Sequence, residues 1–312
     1  MENNRLFKKM KVAITGASGF VGLNLQDYLK ENHEIKPLSV RFLPDQEFNL
    51  ESDAIVHLAG KVHDLKKVSK PIDYYDANFE LTKQLFDGFL NSNAQVFIFM
   101  SSVKACADKV EGILIENNNS DPKTHYGISK LQAEQYILDK KLPHGKRVYI
   151  IRPCMIHGPG NKGNLNLLYT LVSKGIPWPL GAFYNQRSFL SIENLCFVIK
   201  ELLENEGINS GVYQVADNKA ISTNDLILTL NEALGKKATT LQIPATLIKR
   251  ISKLGDFLHL PLNSERLQKL TENYVVSNEK ITNAIGKPLP VSVYEGLMKT
   301  FKSFSTQKNK LK

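Results

Sequence analysis

The chain is 312 residues long, 42% hydrophobic and 23% charged. That is enough apolar material for a large domain plus a smaller one, and long disorder is excluded. The formal net charge of +9 steers anionic ligands toward the protein, and no apolar run reaches the roughly 18 residues of a membrane span.

The first nine residues, from Met1 to Lys9, lack the apolar core of a signal peptide, and a cytoplasmic protein is expected. Lys11 to Thr15 reads as a short buried strand that opens into a glycine turn. Val21, Leu25, Tyr28 and Leu29 then recur at helical spacing. Glu34 to Val40 and Ala54 to Leu58 read as further strands. The link between them, Arg41 to Asp53, is too short for a crossover helix with its turns and must be abbreviated. Leu81, Leu85 and Phe89 mark a helix, and Gln95 to Met100 a continuous apolar strand suited to the middle of a parallel sheet. Tyr126 to Lys140 is helical with Leu131, Ala133 and Ile137 inward, and Val148 to Arg152 is a strand that stops at Pro153.

Beyond Pro153, a run punctuated by Gly158, Pro159, Gly160, Gly163, Pro177, Pro179 and Gly181 suits the loops of a ligand-covering lobe. Val212 to Val215 returns one strand to the main sheet, and helices follow at Asn224 to Leu234, Thr246 to Leu258 and Val291 to Phe304. The expected fold is α/β: a Rossmann-type doubly wound parallel sheet with a smaller, mostly helical C-terminal substrate-binding lobe. Residues 1–153 form the nucleotide-binding domain in this reading, 154–304 mainly the lobe, and 305–312 a solvated basic tail with Lys308, Lys310 and Lys312. Cys106, Cys154 and Cys196 have neither disulfide nor zinc spacing, so reduced thiols and no metal are expected. No zinc-finger or RNP-type run points to nucleic acid.

Gly16, Gly19 and Gly22 follow a strand and open a helix. That context lets backbone N–H groups and the helix N-terminus cradle a pyrophosphate. The cofactor contacts expected there are Gly16, Ser18, Gly19, Phe20, Val21 and Gly22. Dinucleotide folds commonly place an acid after the second strand, on the ribose 2′-hydroxyl. Here Leu38-Ser39-Val40-Arg41 holds none. Arg41 suits a 2′-phosphate, which favours NADP(H) slightly over NAD(H).

Tyr126 and Lys130, at i and i+4, share one helix face. A free phenol titrates near 10 and is a poor base at neutral pH; lowering it by about 3 units takes roughly 4 kcal/mol of preferential phenolate stabilisation. Lys130 and an oxidised nicotinamide are the cations for that task. Ser102 would hold the same substrate oxygen, so Ser102, Tyr126 and Lys130 form the expected catalytic trio.

The chain resembles the extended short-chain dehydrogenase/reductase family, the NAD(P)-dependent epimerases and dehydratases of nucleotide sugars, from about Lys11 to Leu297. The matching runs are Thr15 to Gly22, His57-Leu58-Ala59-Gly60, Tyr74-Tyr75-Asp76-Ala77-Asn78, Ser101-Ser102, Tyr126-x-x-x-Lys130, Arg152-Pro153 and His157-Gly158-Pro159-Gly160. The resemblance implies that Leu58, Ala59, Gly60 and Pro153 line the cofactor channel. It also implies that Asn78 steadies the central helix beside the cofactor and that Lys130 holds the nicotinamide ribose. For the substrate it implies Arg187 on the pyrophosphate, Asn164 on the diphosphate or uridine, and Arg266 as a second phosphate contact. Ser101-Ser102-Val103-Lys104, Asn185-x-Arg187-Ser188-Phe189, Val275-Val276-Ser277-Asn278 and Val291-x-x-x-Glu295-Gly296-Leu297 narrow it further. They resemble the UDP-glucose 4-epimerase branch and its UDP-N-acetylhexosamine 4-epimerases and 4-ketoreductases of bacterial polysaccharide synthesis.

Three positions depart from the pattern: Ala105-Cys106-Ala107 replaces Val-Tyr-Gly, His157 replaces a Tyr, and the acid after the second strand is absent. They speak against a simple transfer of UDP-galactose specificity or tight NAD retention. His125 and His157 are read as polar packing. Three functions follow as expectations: a UDP-sugar 4-epimerase, an NADPH-dependent 4-ketoreductase, and a non-catalytic cofactor sensor on the same fold. A homodimer through a helix pair is implied by resemblance.

Overall fold

The computed structural model describes residues 9–62, 70–161, 163–258 and 263–310, without the side chains of Asn164 and residues 307–310. Its strands are β1 (Lys11–Thr15), β2 (Glu34–Leu38), β3 (Ala54–His57), β4 (Val96–Met100), β5 (Ile113–Leu114), β6 (Arg147–Pro153), β7 (Met155–His157), β8 (Phe189–Ser191), β9 (Gly211–Val215) and β10 (Val275–Val276). The helices are α1 (Phe20–Leu29), α2 (Pro71–Tyr75), α3 (Leu81–Asn91), α4 (His125–Leu138), α5 (Asn164–Ser173), α6 (Ile192–Glu204), α7 (Thr223–Ala233), α8 (Ala245–Leu258), α9 (Ser264–Thr271), α10 (Glu279–Ile285) and α11 (Val293–Lys310). A π turn, Asp76–Glu80, joins α2 to α3, and a 3-10 turn, Val103–Ala105, follows β4.

Six strands form one sheet in the order β2-β1-β3-β4-β6-β9, and every pairing is parallel. The two-residue period of a strand sorts its side chains onto two faces. Val12, Ile14, Val56, Ile98, Tyr149 and Ile151 meet α1, α6 and α10 on one. Ala13, Ile55, Phe97, Phe99 and Ile150 meet α3 and α4 on the other. Both faces being covered, the central strands read as unbroken apolar runs, such as the fully buried Val-Phe-Ile-Phe-Met of β4.

Strand order reverses at β1, which pairs with β2 on one side and β3 on the other. A crevice therefore opens at the carboxyl ends of β1 and β3, where doubly wound sheets take ligands. The turn after β1, the Leu58–Gly60 run, Ser101-Ser102 and Pro153 all lie at that edge. The link from β2 to β3 carries neither helix nor strand, as its length requires. Val40, Phe42 and Phe48 pack with buried Leu50 against the α3–α4 face in place of a helix.

Past Pro153 the chain is more ordered than its glycines and prolines suggest. β7 pairs with β8, α5 occupies part of the punctuated run, and β9 joins the sheet beside β6. α6 packs Leu195, Val198, Ile199 and Leu202 onto the sheet core. A separate core gathers Trp178, Phe189, Leu226, Leu230, Leu297 and Phe301 among α5, α7, α8, α9 and α11.

Candidate active site

Gly16 has φ 64, and a Cβ there would lie 2.8 Å from the Ala59 nitrogen. At Gly22 a Cβ would come within 2.4 Å of the Gly16 carbonyl oxygen. Any side chain at either place would push the turn off β3 or off α1. Gly19 caps α1 with no side-chain bond, so the first-turn N–H groups face the crevice without an internal acceptor. Ser18 and Gly19 are exposed, Phe20 and Val21 half-buried. Phe20 lies 3.4 Å from a Cβ built at Gly158, so the Gly158–Gly160 loop flanks the same turn.

Beneath it, His57 Nδ1 lies 2.7 Å from Thr15 Oγ1 and His57 Nε2 3.0 Å from Thr82 Oγ1. Thr82 donates its proton to the Asn78 carbonyl at 2.7 Å, so it accepts from His57 Nε2–H. Nδ1 then accepts from Thr15, whose oxygen also receives the N–H groups of Leu58 and Ala59 at 3.1 and 3.0 Å. Burial, helped by the Lys130 charge, pushes His57 down to about 3, which keeps the ring neutral as this pattern demands. The strand-end loop Leu58–Gly60 is thereby locked.

Thr124 caps α4 by accepting the Gly127 N–H at 3.1 Å, which sets Tyr126 and Lys130 on the helix face toward β4. Lys130 is buried; its Nζ donates to the Met100 carbonyl at 2.8 Å and lies 4.7 Å from the Phe99 ring centroid. A Cβ on Gly60 would sit 3.1 Å from that Nζ and 2.6 Å from Asn78 Oδ1. The Lys130 side chain thus faces the bare Gly60 backbone, and among the described residues its one hydrogen-bond acceptor is the Met100 carbonyl. Desolvation pushes Lys130 down to about 7, with Glu134 pulling the other way. Tyr126 is half-buried; desolvation raises its phenol, and a side-chain hydrogen bond to Ser102 works against the rise. Ser102 accepts the Lys104 N–H at 3.2 Å and so fixes the 3-10 turn. The three expected groups converge at one edge of the sheet, beside the glycine turn.

Asn78 sits in the π turn, a feature common at functional sites. Its amide donates to the Lys61 carbonyl at 3.0 Å and to Ser129 Oγ at 3.1 Å, and its oxygen accepts the Lys61 N–H at 2.8 Å. It stitches the Gly60 loop to α4.

One further group was not foreseen in the sequence. Glu134, one turn beyond Lys130, is buried against Arg152 on β6. Arg152 Nε reaches the two carboxylate oxygens at 3.0 and 3.1 Å, and its NH2 reaches Oε2 at 2.5 Å. Ser101 donates to the same carboxylate. A paired charge at this depth pins α4 to β4 and β6. Its only sequence signal was an acid on the buried stripe of a helix.

The remaining expected residues are spread more widely. Pro153 is buried at the end of β6, and Leu58 and Ala59 are half-buried beside the glycine turn. Arg41 is exposed in the link after β2, close to exposed Ser39. Arg187 is half-buried and donates to the Lys269 carbonyl on α9; burial pushes it down, with the Glu272 charge opposing. Arg266 is exposed on α9 and its backbone N–H caps onto Asn263 at 2.9 Å. Asn164 opens α5, and its side chain lies outside the described ones.

Tyr274, also unforeseen, ties the turn after β4 to the residues ahead of β8: its hydroxyl donates to the Ala107 carbonyl at 2.6 Å, and its own carbonyl accepts the Ser188 N–H at 2.9 Å. Lys104 lies 4.2 Å over its ring. His125 is exposed against the Tyr75 hydroxyl at 3.2 Å, and buried His157 bonds Thr300 at 2.9 Å. Among the described residues no group of three or more His, Cys, Asp or Glu converges as metal ligands would.

The glycine cradle, the α1 N-terminus without a side-chain cap and the Lys130 amine beside the Gly60 backbone fit a nicotinamide dinucleotide. Known proteins agree. The chain is 29% identical over 326 residues to UDP-glucose 4-epimerase of Vibrio cholerae, covering 96% of this chain and 97% of that one. It is 29% identical over 289 residues to N-acetyl-alpha-D-glucosaminyl-diphospho-ditrans,octacis-undecaprenol 4-epimerase of Escherichia coli O157:H7, covering 86% and 84%. The structure of RMD from Pseudomonas aeruginosa complexed with NADPH superposes with a TM-score of 0.69 at 21% identity, over 95% of this chain and 98% of that one, a likeness of fold. Residues 12–216 match the NAD dependent epimerase/dehydratase family, and the chain belongs to that family.

Proposed function

We propose that the protein is a 4-epimerase of a UDP-hexose or UDP-N-acetylhexosamine. The observation that carries this reading is the convergence of Ser102, Tyr126 and Lys130 beside the Gly16–Gly22 cradle. The glycine turn, Leu58, Ala59, Gly60 and Pro153 hold the dinucleotide, with Asn78 bracing the Gly60 loop. Lys130 would hydrogen-bond the nicotinamide ribose through its Nζ. When bound there, the cofactor would supply the hydride chemistry at C4. Ser102 donates to the C4 oxygen of the sugar and holds it in reach of Tyr126. Tyr126 removes the C4 hydroxyl proton as the 4-keto sugar forms and returns it after the sugar has turned its other face.

In the cofactor-free site, desolvation holds the phenol above its ordinary value. The base therefore needs the positive charge that Lys130 and an oxidised nicotinamide bring. Arg187 is the diphosphate clamp, its planar fork suited to two phosphate oxygens, with Asn164 and Arg266 as further contacts. The residue 154–304 lobe closes over the sugar nucleotide.

A second reading, an NADPH-dependent reductase of a UDP-4-keto-6-deoxy-N-acetylhexosamine, is favoured by Arg41 and the absence of an acid after β2. One experiment separates the two. The purified protein is stripped of nucleotide and given UDP-GlcNAc or UDP-glucose with catalytic cofactor, or a 4-keto UDP-sugar with NADPH. Isomerised product without net cofactor turnover is expected. Stoichiometric NADPH consumption would replace the epimerase by the reductase, and no turnover in any arm would leave a cofactor-sensing protein.

A further inference from the structure

α8 shows two apolar faces. Ile248, Ser252 and Gly255 are buried, with Ile248 in the lobe core. Leu247, Ile251, Leu254 and Leu258 recur at i, i+4, i+7 and i+11, which places them in one stripe. They remain 48%, 42%, 56% and 52% exposed, and Phe257 beside them is 80% exposed. Five large apolar side chains in water on one fourteen-residue helix form a patch of the kind that marks an interaction surface.

Charge says what the counter-surface is. Arg250 is exposed between Leu254 and Phe257, and Lys253 and Lys249 are exposed on the arc beyond Phe257. The one acid of α8, Asp256, is occupied by Ser264, accepting its N–H at 2.8 Å and its hydroxyl at 2.6 Å. Asp256 keeps its charge but lies beside Lys249 at the far edge from the apolar stripe, so among the described residues of α8 cations outnumber acids three to one. A two-fold contact with a second copy would bring three cations against three cations in a chain already at +9. What complements the face is apolar and anionic at once, as the headgroup–acyl boundary of an acidic bilayer is.

We propose that α8 docks the protein on anionic membrane surfaces, lying in the headgroup plane with Leu254 and Phe257 inserted and Lys249, Arg250 and Lys253 against lipid phosphates. The attachment is peripheral, since among the described residues no helix is long and apolar enough to cross a bilayer. This goes beyond the catalytic reading and does not depend on it.

The full chain is pelleted with vesicles of phosphatidylcholine alone and of phosphatidylcholine containing one-third phosphatidylglycerol. Binding is expected only to the second and is released by high salt. A basic residue near an acidic surface contributes about 1 kcal/mol, about five-fold. The triple variant Lys249→Gln, Arg250→Gln, Lys253→Gln therefore partitions roughly a hundred-fold more weakly. Leu254→Glu with Phe257→Glu abolishes pelleting while the melting temperature and turnover of a soluble sugar nucleotide hold. Wild-type protein that stays in the supernatant with acidic vesicles overturns the proposal. So does undiminished binding of the triple variant, or a wild-type oligomer that dissociates in the double variant without any vesicle binding.

Discussion

The α4 region and the α9 region handle charge in opposite ways. Lys130, Glu134 and Arg152 are buried, and each is bonded to a defined protein partner. Arg187 and Arg266 are half-buried and exposed, and the Arg187 guanidinium spends a donor on the Lys269 backbone carbonyl rather than on a carboxylate. A buried ion pair contributes little net stability, but it fixes geometry, because neither partner can leave the other in a low dielectric. Half-exposed arginines can re-aim at small cost. Under the proposed function the difference is a division of labour: rigid placement where a proton and a hydride would meet, adaptable placement where a diphosphate would be held.

The largest expected effect tests the rigid side. Tyr126→Phe removes one hydroxyl from a half-buried helix position and should lower turnover about a thousand-fold with an unchanged melting temperature. Steady-state rates decide it; a wild-type rate would dissolve the catalytic half of the comparison. Next comes Glu134→Ala, which strands the Arg152 guanidinium and should cost about 3–5 kcal/mol in urea unfolding. The exposed pair of Lys299 with Glu193 at 2.7 Å supplies the contrast, since Glu193→Ala should cost about 0–1 kcal/mol. Equal losses would mean that the buried pair is ordinary.

Lys130 sharpens the comparison through pH. Its folded value is about 7 against 10.5 when unfolded. Below pH 7 both states hold the proton, and the full burial penalty on the ammonium is present. Between these two values the unfolded chain holds a proton that the folded one lacks, so folding gains as pH rises, by up to about 1.4 kcal/mol per pH unit. Lys130→Met lacks this slope. Nucleotide-free wild type should therefore gain stability on the variant from pH 7 upward, and parallel profiles would show that Lys130 keeps an ordinary ammonium.

What could be read beforehand follows the same divide. Gly16, Gly19 and Gly22, and Tyr126 with Lys130, lie within one turn or one helix, so strand–turn–helix context and i,i+4 spacing suffice to find each, while their meeting at one edge depends on the parallel pairing of β1, β3 and β4. The Glu134 network joins Ser101 and Arg152 across 33 and 18 residues, and the His57 locks reach 42 and 25 residues. No local period encodes such pairings. Two- and three-residue strands such as β5, β7, β8 and β10 exist through their partners and leave almost no pattern. α6 is different: Ile192, Leu195, Cys196, Ile199 and Leu202 recur helically behind the Ser191 cap. The long glycine- and proline-rich run ahead of it masks that order.

The smallest expected effect falls at the edge of the crevice, where the rigid half gives way to an exposed link. β2 ends at Leu38, and Ser39 and Arg41 follow on the surface with no acid among residues 38–41. An exposed guanidinium near a 2′-phosphate is worth about 1 kcal/mol, because solvent screens most of its field. Arg41→Ala should therefore weaken NADPH by roughly five-fold and leave NADH nearly unchanged. Ser39→Asp should add to the shift, offering an acceptor to a 2′-hydroxyl and repelling a phosphate. Fluorescence titration of the two reduced cofactors measures both. If neither substitution moves the ratio, the ribose is not read on this link, and the preference for NADP(H) falls while the glycine cradle and Tyr126 stand.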